Sequence, residues 1–505
     1  MDNVIRKRRY KLNTIFGLSQ TIVSMICGLI LPRLILSTYG SSVNGLINSI
    51  TNLLGFISLF DMGIGATVQA ALYKPIADNN QNQINKVYSY ARKFYRFISL
   101  ILFIYVIVLC VVLPIKFNSQ YEPIFTILLI IALSLTSLGT YYFGNVNSIL
   151  LRAEQQGYIY FSLQIITTIL NTILCFIEVK LGLSIQLVKI TTSIIYLLRP
   201  IGMFLYIKYK YKDIKIVSTK GENVLPEKWG GFTQHIAAYI LGQTDILLLT
   251  FFATLEDVSI YSVYYLITNT AIYKLLDGLL AGDTPLLGSY LAQGDLEQTK
   301  NFYYKKEFII HTISTIVYSV TACLLVPFIK LYTRNVTDAN YNQPLFAILM
   351  VIQSICWLLR SFYYELLYAK GEFKKTQWVA LLEALINVIV SLIFVNWLGL
   401  IGVAIGTIVS LIYRIICFLF YNYKILGKKV ILSFLKNIII DMLIFLSIFG
   451  MYQFVKFDTA NYFIWGLSGL MMLGIALGVS IVVNIILNYK NVKKICISLI
   501  LKLKR

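Results

Sequence analysis

The chain has 505 residues, of which 58% are hydrophobic and 13% are charged, and its formal net charge is +21. Soluble domains usually contain about 45–50% apolar and about 25% charged residues, so this composition excludes an ordinary soluble protein and indicates a membrane protein. The positive charge does not require a nucleic-acid partner, because the basic runs adjoin apolar segments and face anionic lipid at helix ends.

Apolar windows of about 20 residues, the length that a helix needs to cross a bilayer, occur about fourteen times. They are predicted as helices, because lipid offers no partner for backbone groups and the runs are too long for barrel strands. The predicted spans, good to a few residues, are 13–37, 43–72, 95–116, 122–148, 157–178, 183–207, 233–253, 258–288, 307–330, 343–368, 376–396, 400–423, 434–455 and 462–488.

Basic residues are concentrated in alternate loops of this arrangement. With the N-terminus inside, most Lys and Arg residues lie in predicted inner segments, which satisfies the positive-inside rule. We therefore predict an even number of spans with both termini cytoplasmic. The basic residues of the predicted outer loops are Lys116, Lys180, Lys330, Arg334 and Lys456.

The second half of the chain repeats the first at an offset of about 216 residues. This register predicts an all-α protein with two parallel six-helix repeats, which form two lobes around a central cavity, as in parallel-repeat transporters. We predict an N-lobe over residues 1–207, a cytoplasmic linker over 208–232, a C-lobe over 233–424, and two further helices with a basic tail over 425–505. The matched pairs include Asp61 with Asp277, Ala153 with Ala369, Asn171 with Asn387, and Arg199 with Arg414.

Several kinds of chemistry have no counterpart in the sequence. There is no P-loop, so ATP is not expected as the direct energy source. The seven Cys residues have no metal-ligand spacing, and neither a metal site nor a cofactor is predicted. His235 and His311 stand alone, and a structural role is the favoured interpretation for both. We do not expect an enzyme.

Some charges inside predicted spans recur in both halves. These are Asp61 with Asp277 and Arg199 with Arg414. Charges inside a membrane normally face a partner or a hydrated cavity. A charge that both lobes share is more simply a scaffold or gate contact, and that is the interpretation favoured here over substrate contact.

Other intramembrane charges occur in one half only. Arg33, Lys274 and Arg360 align with neutral residues in the other half. A substrate with one charged end needs an asymmetric site, so these three cations are predicted to line the cavity. Cations that converge on a cavity suit phosphate or diphosphate, which Arg engages bidentately. Snorkelling or pairing with a nearby acid is the structural alternative.

Asp245 lies near the middle of a predicted span, beside Gln243. A lone carboxylate there binds a proton or Na⁺ and couples its gradient to transport, or it pairs with Arg33 or Lys274. Both alternatives stay open at this point.

Three segments carry a resemblance to a known family: "GLSQTIVSMICGLILPRLILSTYG", "VNGLINSITNLLGFISLFDMGIGATV" and "GQTDILLLT". With twelve repeated spans followed by two more, the chain resembles the polysaccharide flippases of the MOP superfamily, which also contains the lipid II flippase and the MATE exporters. The resemblance covers nearly the whole chain, but it rests on the overall pattern and not on one diagnostic motif.

The resemblance implies a flippase of the bacterial plasma membrane, and we expect a monomer. Its substrate would be an undecaprenyl-diphosphate-linked oligosaccharide, moved from the inner to the outer leaflet by alternating access for surface polysaccharide synthesis. Membrane lipids and polysaccharide polymerase machinery are the expected partners. A cationic cavity is also implied, and Arg33, Lys274 and Arg360 are the positions that would form it. The last two helices would shape a groove for the lipid tail.

This chain departs from the lipid II subfamily in its first helix, where Arg33 is alone and no Arg cluster is present. That difference argues against lipid II as the cargo. Two competing interpretations remain. A MATE-type cation-coupled drug or metabolite exporter would have about twelve spans and acids clustered in one lobe. A membrane glycosyltransferase or polymerase would need a large outer loop or paired acids, and no predicted outer loop exceeds about 15 residues.

Overall fold

We analysed a computed structural model of the chain. It describes residues 3–61, 64–219, 224, 232–280, 282–372, 374–454 and 461–503. These residues are helical or irregular, and no strand occurs among them. The chain divides into two compact units, a first unit over Met1–Tyr239 and a second unit over Ile240–Arg505. Most of the second half of the predicted linker lies outside the described residues.

Eight α-helices form the described part of the first unit up to residue 210. A π-helical turn, Thr140–Gly144, joins α5 to α6. The helices are α1 (Asn3–Gly55), α2 (Ser58–Asp61), α3 (Ile64–Ala77), α4 (Gln81–Lys116), α5 (Pro123–Gly139), α6 (Asn145–Ala153), α7 (Gly157–Lys180) and α8 (Ile185–Lys210).

Ten further α-helices follow, the first of which begins just before the boundary between the units. They are α9 (Phe232–Phe252), α10 (Leu255–Tyr265), α11 (Lys274–Asp277), α12 (Asp283–Ala292), α13 (Leu296–Tyr332), α14 (Pro344–Ala369), α15 (Gln377–Leu398), α16 (Leu400–Leu426), α17 (Lys429–Phe454) and α18 (Tyr462–Leu503).

Local sequence signals explain where several helices begin. Asn80 caps α4 by accepting a hydrogen bond from the backbone N–H of Gln83, and Asp295 caps α13 in the same way through Gln298. A capping side chain satisfies one of the N–H groups that a helix start leaves without a partner. The two caps lie 215 residues apart, which is the offset found between the two halves of the sequence.

Eleven helices in the described part of the chain are long and apolar enough to cross a membrane, which makes this a multi-pass membrane protein. The predicted number was about fourteen, and the difference has visible causes. The first two predicted spans form one continuous element, interrupted at Gly40, whose φ of 86° is a conformation that favours glycine. The predicted seventh span corresponds to a shorter apolar helix, Ile236–Phe252.

The predicted span over 258–288 is broken in the structure. After α10 the chain passes through a π-helix at Leu266–Tyr273, the short α11, and a 3₁₀ turn at Gly278–Leu280 before α12 begins. Hydropathy measures only how apolar a window is, so it cannot detect such breaks. Irregular backbone at membrane depth is tolerated where protein or a hydrated cavity surrounds it.

The last two membrane helices pack on α13 in the second unit. Their contact is an apolar cluster in which Ile444, Ile448 and Met472 are completely buried. The indole N–H of Trp465 also donates to the backbone oxygen of Leu324 at 3.1 Å. These contacts make α17 and α18 part of the second unit. Their other faces expose large apolar side chains, among them Leu432, Leu446, Leu470 and Ile486.

Helices α15 and α16 approach each other closely at two glycines. Gly402 and Gly406 are four residues apart, the spacing typical of tight helix contacts in membranes. A Cβ atom at Gly406 would lie 2.0 Å from the Ser391 hydroxyl and 2.8 Å from its backbone nitrogen. The two glycines therefore set the distance between α15 and α16.

We expect Gly406→Val to destabilise the protein by about 1–3 kcal/mol, because the added methyl groups overlap the Ser391 backbone and force the two helices apart. Gly474→Val is the matched control, since a Cβ atom at Gly474 meets nothing within 4 Å. Thermal unfolding of the detergent-purified variants measures the difference. Equal melting temperatures for the two variants would contradict the close-contact interpretation.

Candidate functional site

Asp245 is a buried carboxylate at which four helices of the second unit meet. It lies on α9 and is 4% exposed. The Tyr261 hydroxyl of α10 donates to its Oδ2 at 2.6 Å, and the Thr407 hydroxyl of α16 lies 2.8 Å from Oδ1 and 2.9 Å from Oδ2. Asn387 of α15 donates to Thr407 Oγ1 at 2.9 Å. Every one of these partners is neutral.

The same cluster contains oxygen atoms with spare acceptor capacity. The side-chain oxygen of Asn387 is buried and has no hydrogen-bond partner. A carboxylate can accept about four hydrogen bonds, and the described residues place no Lys, Arg or His within ion-pair distance of Asp245. One carboxylate surrounded by neutral oxygens is a donor set that suits a proton or a hard monovalent cation. Softer metals prefer sulfur or imidazole ligands.

The close contact between α15 and α16 positions this cluster. Gly406 lets the two helices approach, and Thr407 is the next residue along α16. Asn387 lies one turn before Ser391, the residue that Gly406 contacts. The glycine pair thus brings the Asn387 amide within hydrogen-bond distance of the Thr407 hydroxyl, and the hydroxyl within reach of Asp245.

A second cluster in the same unit joins two arginines to one acid. Arg360 of α14 binds Glu383 of α15 bidentately, with N–O distances of 2.6 and 3.1 Å. Arg414 of α16 lies 3.6 Å from the same carboxylate through Nε, and it donates to the backbone oxygen of Thr376. Glu383 and Arg414 are 2% and 1% exposed. The three charges sum to +1, so one positive charge is left over in this cluster.

The two arginines of this cluster differ in their exposure and in their contacts. Arg414 is completely enclosed, and its scaffold or gate role stays a prediction. Arg360 was predicted to contact substrate; its side chain is 19% exposed, and its guanidinium lies 5.0 Å from the Trp357 ring. Its bidentate bond to Glu383 is the acid pairing that the sequence left open as the structural alternative.

Lys274 and Asp277 lie on α11, directly after the π-helix. Lys274 is exposed, and no ion pair involves it among the described residues. Asp277 accepts a hydrogen bond from the Tyr273 hydroxyl at 3.2 Å, and that hydroxyl lies 3.0 Å from Ser361. The structure therefore brings the start of α11 beside the part of α14 that carries Arg360.

The remaining predicted residues lie at separate places. Arg33 is partly buried in α1 and follows Pro32, Asp61 ends α2, and Gln243 is partly buried on α9, two residues before Asp245. Arg199 of α8 belongs to the first unit. Its Nε donates to Thr167 at 2.6 Å, its Nη2 donates to Thr168 at 2.9 Å, and its guanidinium lies 3.8 Å from the Tyr196 ring.

A buried network around His311 was missed at the sequence level. His311 Nδ1 lies 2.5 Å from Asp441 of α17, and its Nε2 lies 2.9 Å from the Tyr363 hydroxyl of α14. Tyr363 also donates to Glu307 at 2.9 Å, and Thr315 donates to Asp441 at 2.6 Å. The network ties α17 to α13 and α14 through polar groups inside a largely apolar contact.

One sequence signal for this network was present. Glu307, His311 and Thr315 are spaced four residues apart, which places them on one face of α13. A polar stripe at that spacing on an otherwise apolar helix needs partners on a neighbouring helix. The sequence gives no indication that Asp441, 130 positions further on, is the partner.

The helical architecture of the described residues is that of a multi-pass membrane protein. The predicted likeness to the MOP superfamily is confirmed in the fold. The structure is similar to the lipid II flippase MurJ in its inward closed conformation, with a TM-score of 0.67 and 18% identity over 92% of this chain and 98% of that chain.

Two MATE transporters share the fold to a lesser extent. An inward-facing multidrug-resistance MATE transporter of the MOP superfamily gives a TM-score of 0.58 at 18% identity, over 81% of this chain and 98% of that chain. The eukaryotic MATE transporter AtDTX14 gives a TM-score of 0.54 at 15% identity, over 85% of this chain and 99% of that chain. No protein-family model and no curated protein matches the sequence. The three proteins compared here are a flippase and two transporters.

Proposed function

We propose that this protein is a flippase that moves an undecaprenyl-diphosphate-linked oligosaccharide from the inner to the outer leaflet of a bacterial plasma membrane. The observation that carries the proposal is the extent of the fold match. The likeness to the lipid II flippase spans 92% of this chain, against 81% and 85% for the two MATE transporters. The two parallel repeats predicted from the sequence would provide the alternating lobes.

The chemistry of such a substrate, with an apolar tail and a polar head, supports this proposal. Its lipid tail is already stable in the bilayer, whereas its diphosphate and sugars are too polar to cross without help. The transporter therefore needs cations for the diphosphate and a route for the tail. In the second unit, Lys274 and the net positive cluster around Arg360 are proposed contacts for the anionic head. Arg33, in the first unit, is proposed separately as a cation for the same kind of group. The exposed apolar faces of α17 and α18 are the proposed contacts for the tail.

We assign Asp245 and its neutral partners as the site where a proton or Na⁺ couples to transport. A buried carboxylate without a cationic partner is costly in a membrane, and a bound cation offsets that cost. Loading and release of the cation would then bias the second unit between two conformations, which a transported ion does when it binds one of them more tightly.

Deletion of the gene tests the proposed substrate. Lipid extracts of the deletion strain should contain a stranded diphosphate-linked oligosaccharide, and the surface glycan should be lost. Re-expression of the wild-type chain should reverse both changes. Unchanged lipid intermediates and unchanged surface glycan would rule out the flippase proposal.

A MATE-type cation-coupled exporter is the second candidate. The Asp245 cluster supports it, because an ion-coupled exporter also needs a cation site. The same deletion strain separates the two candidates: an exporter would lose dye or drug efflux and keep its surface glycan.

A further inference from the structure

Arg199 is a membrane-embedded guanidinium whose partners are all neutral. It is the fifteenth residue of the 26-residue α8, and thus lies about 21 Å from one end of the helix and about 16 Å from the other at 1.5 Å per residue. The Thr167 and Thr168 hydroxyls accept its hydrogen bonds, and the Tyr196 ring lies against its face. Among the described residues, no Asp or Glu lies within ion-pair distance of it.

The threonines orient this guanidinium but do not neutralise it. The Thr167 hydroxyl donates its own proton to the backbone oxygen of Leu163 at 2.7 Å, so it faces Arg199 as an acceptor. A guanidinium has five N–H donors, and two of them are used on the threonines. The Tyr196 ring lies 3.8 Å from the guanidinium carbon and constrains the direction in which the remaining donors point.

The equivalent arginine in the second unit has a carboxylate beside it, which it shares with Arg360. Arg414 follows Arg199 by 215 residues, and Glu383 follows Thr167 by 216. Both pairs are in contact: Arg199 Nε lies 2.6 Å from the Thr167 hydroxyl, and Arg414 Nε lies 3.6 Å from the Glu383 carboxylate. The chain thus holds the same arginine twice, once with a carboxylate and once with a hydroxyl in its place.

A charge at membrane depth is costly unless a partner or water compensates it. In the second unit the protein itself supplies a carboxylate, which Arg414 and Arg360 share. In the first unit no described carboxylate lies beside Arg199, so the corresponding place suits an anion from outside the protein. We propose that Arg199, held by Thr167, Thr168 and Tyr196, is a binding site for a phosphate or diphosphate group.

This inference rests on the proposed function for the origin of the group, since the diphosphate of the lipid-linked substrate would occupy the site during transport. The headgroup of a membrane phospholipid offers the same chemistry. Planar guanidinium groups bind phosphate oxygens through paired hydrogen bonds, which a lysine cannot reproduce.

The test introduces a carboxylate into the first unit at the position equivalent to Glu383 of the second unit. Thr167→Glu places an acid beside Arg199, as Glu383 lies beside Arg414, and should keep the protein folded because it adds an ion pair. Thr167→Gln has nearly the same size without the charge. Binding of undecaprenyl diphosphate to the full-length protein in detergent is measured by native mass spectrometry. It should be weaker by about tenfold or more in Thr167→Glu than in Thr167→Gln, which serves as the size-matched reference.

Two competitors identify the source of the anion. Inorganic pyrophosphate that displaces undecaprenyl diphosphate from wild type, but not from Thr167→Glu, supports recognition of the diphosphate itself. Phosphatidylglycerol that competes at equal concentration supports a site for lipid headgroups in general. Equal binding by wild type and Thr167→Glu would overturn the proposal, as would an equal loss in Thr167→Gln, because charge would then not be the cause.

Complementation of the deletion strain separates this inference from the proposed function. If wild type restores the surface glycan and Thr167→Glu does so equally well, the Arg199 site is wrong and the flippase proposal stands. If the deletion leaves the lipid intermediates unchanged, the flippase proposal is wrong, whereas the binding difference between the two Thr167 variants still decides the site.

Discussion

Asp245→Asn is expected to abolish cation-dependent stabilisation of the protein and to reduce transport by about 10- to 100-fold. The substitution keeps the shape of the side chain and removes its charge, and hydrogen bonds to a charged group contribute about 1.5–3 kcal/mol. The new amide also presents N–H donors where the Tyr261 and Thr407 hydroxyls already donate. Both effects remove the oxygen set that a cation needs.

The measurement is the melting temperature of purified protein in NaCl against choline chloride at constant pH. A cation present at about 100 times its Kd stabilises the folded state by about 2.7 kcal/mol, so the wild-type melting temperature should rise with NaCl and saturate. A pH series without Na⁺ reports proton binding in the same way. Asp245→Asn should respond to neither. Responses equal to those of wild type would exclude Asp245 as the coupling site.

Thr407 provides a matched pair for this experiment. Thr407→Ser keeps the hydroxyl that lies 2.8 Å from the carboxylate, whereas Thr407→Val replaces it with a methyl group of similar size. We expect Thr407→Ser to retain the cation response and Thr407→Val to weaken it. The pair separates the loss of an oxygen ligand from a general disturbance of the contact between α15 and α16.

Hydropathy and charge were sufficient to predict the class of fold, because the bilayer imposes a length and a composition on every helix that crosses it. They did not predict the break after α10. The π-helix at Leu266–Tyr273 depends on which side chains surround that backbone, and a window average contains no such information. The merged first element likewise depends on one residue, Gly40, whose conformation cannot be deduced from hydropathy.

The candidate sites were only partly predictable for a related reason. Arg360 was recognisable as a charge that occurs in one half only, and Asp245 as a lone carboxylate inside a predicted span, yet their partners were not. Asp245 was expected either to bind a cation or to pair with Arg33 or Lys274, whereas its contacts in the structure are hydroxyls, one of them 162 residues away. Partners on different helices depend on how the helices are rotated, and a single sequence carries little information on that rotation.

The two halves differ in what faces the repeated arginine. Glu383 occupies the place of Thr167, so the arginine of the second unit lies beside a carboxylate that it shares with Arg360, whereas Arg199 lies beside a hydroxyl. The sequence alone favoured a shared scaffold role for Arg199 and Arg414, because the two arginines are conspicuous and the residues facing them are not. The role of a charge depends on its neighbours, and these differ between the two halves.

Glu383→Gln should destabilise the protein by about 3–5 kcal/mol, because it leaves two arginines without the carboxylate that they share. Removing one partner of a buried ion pair costs this much, since the remaining charge is uncompensated. Here Arg414 is 1% exposed, so it cannot turn to water, and Arg360 would add like-charge repulsion. Thermal unfolding in detergent, monitored as the fraction of protein that stays monodisperse, measures the loss of stability.

Two further variants make this expectation specific. Glu372→Gln is the same chemical change at ion pairs with Lys370 and Lys375, whose side chains are 44% and 63% exposed, and it should cost less than about 1 kcal/mol. Glu383→Gln combined with Arg414→Gln removes the most buried of the stranded charges and should recover much of the lost stability. If the double variant is no more stable than Glu383→Gln, the uncompensated charge on Arg414 is not the cause, and the loss comes from the packing of α15.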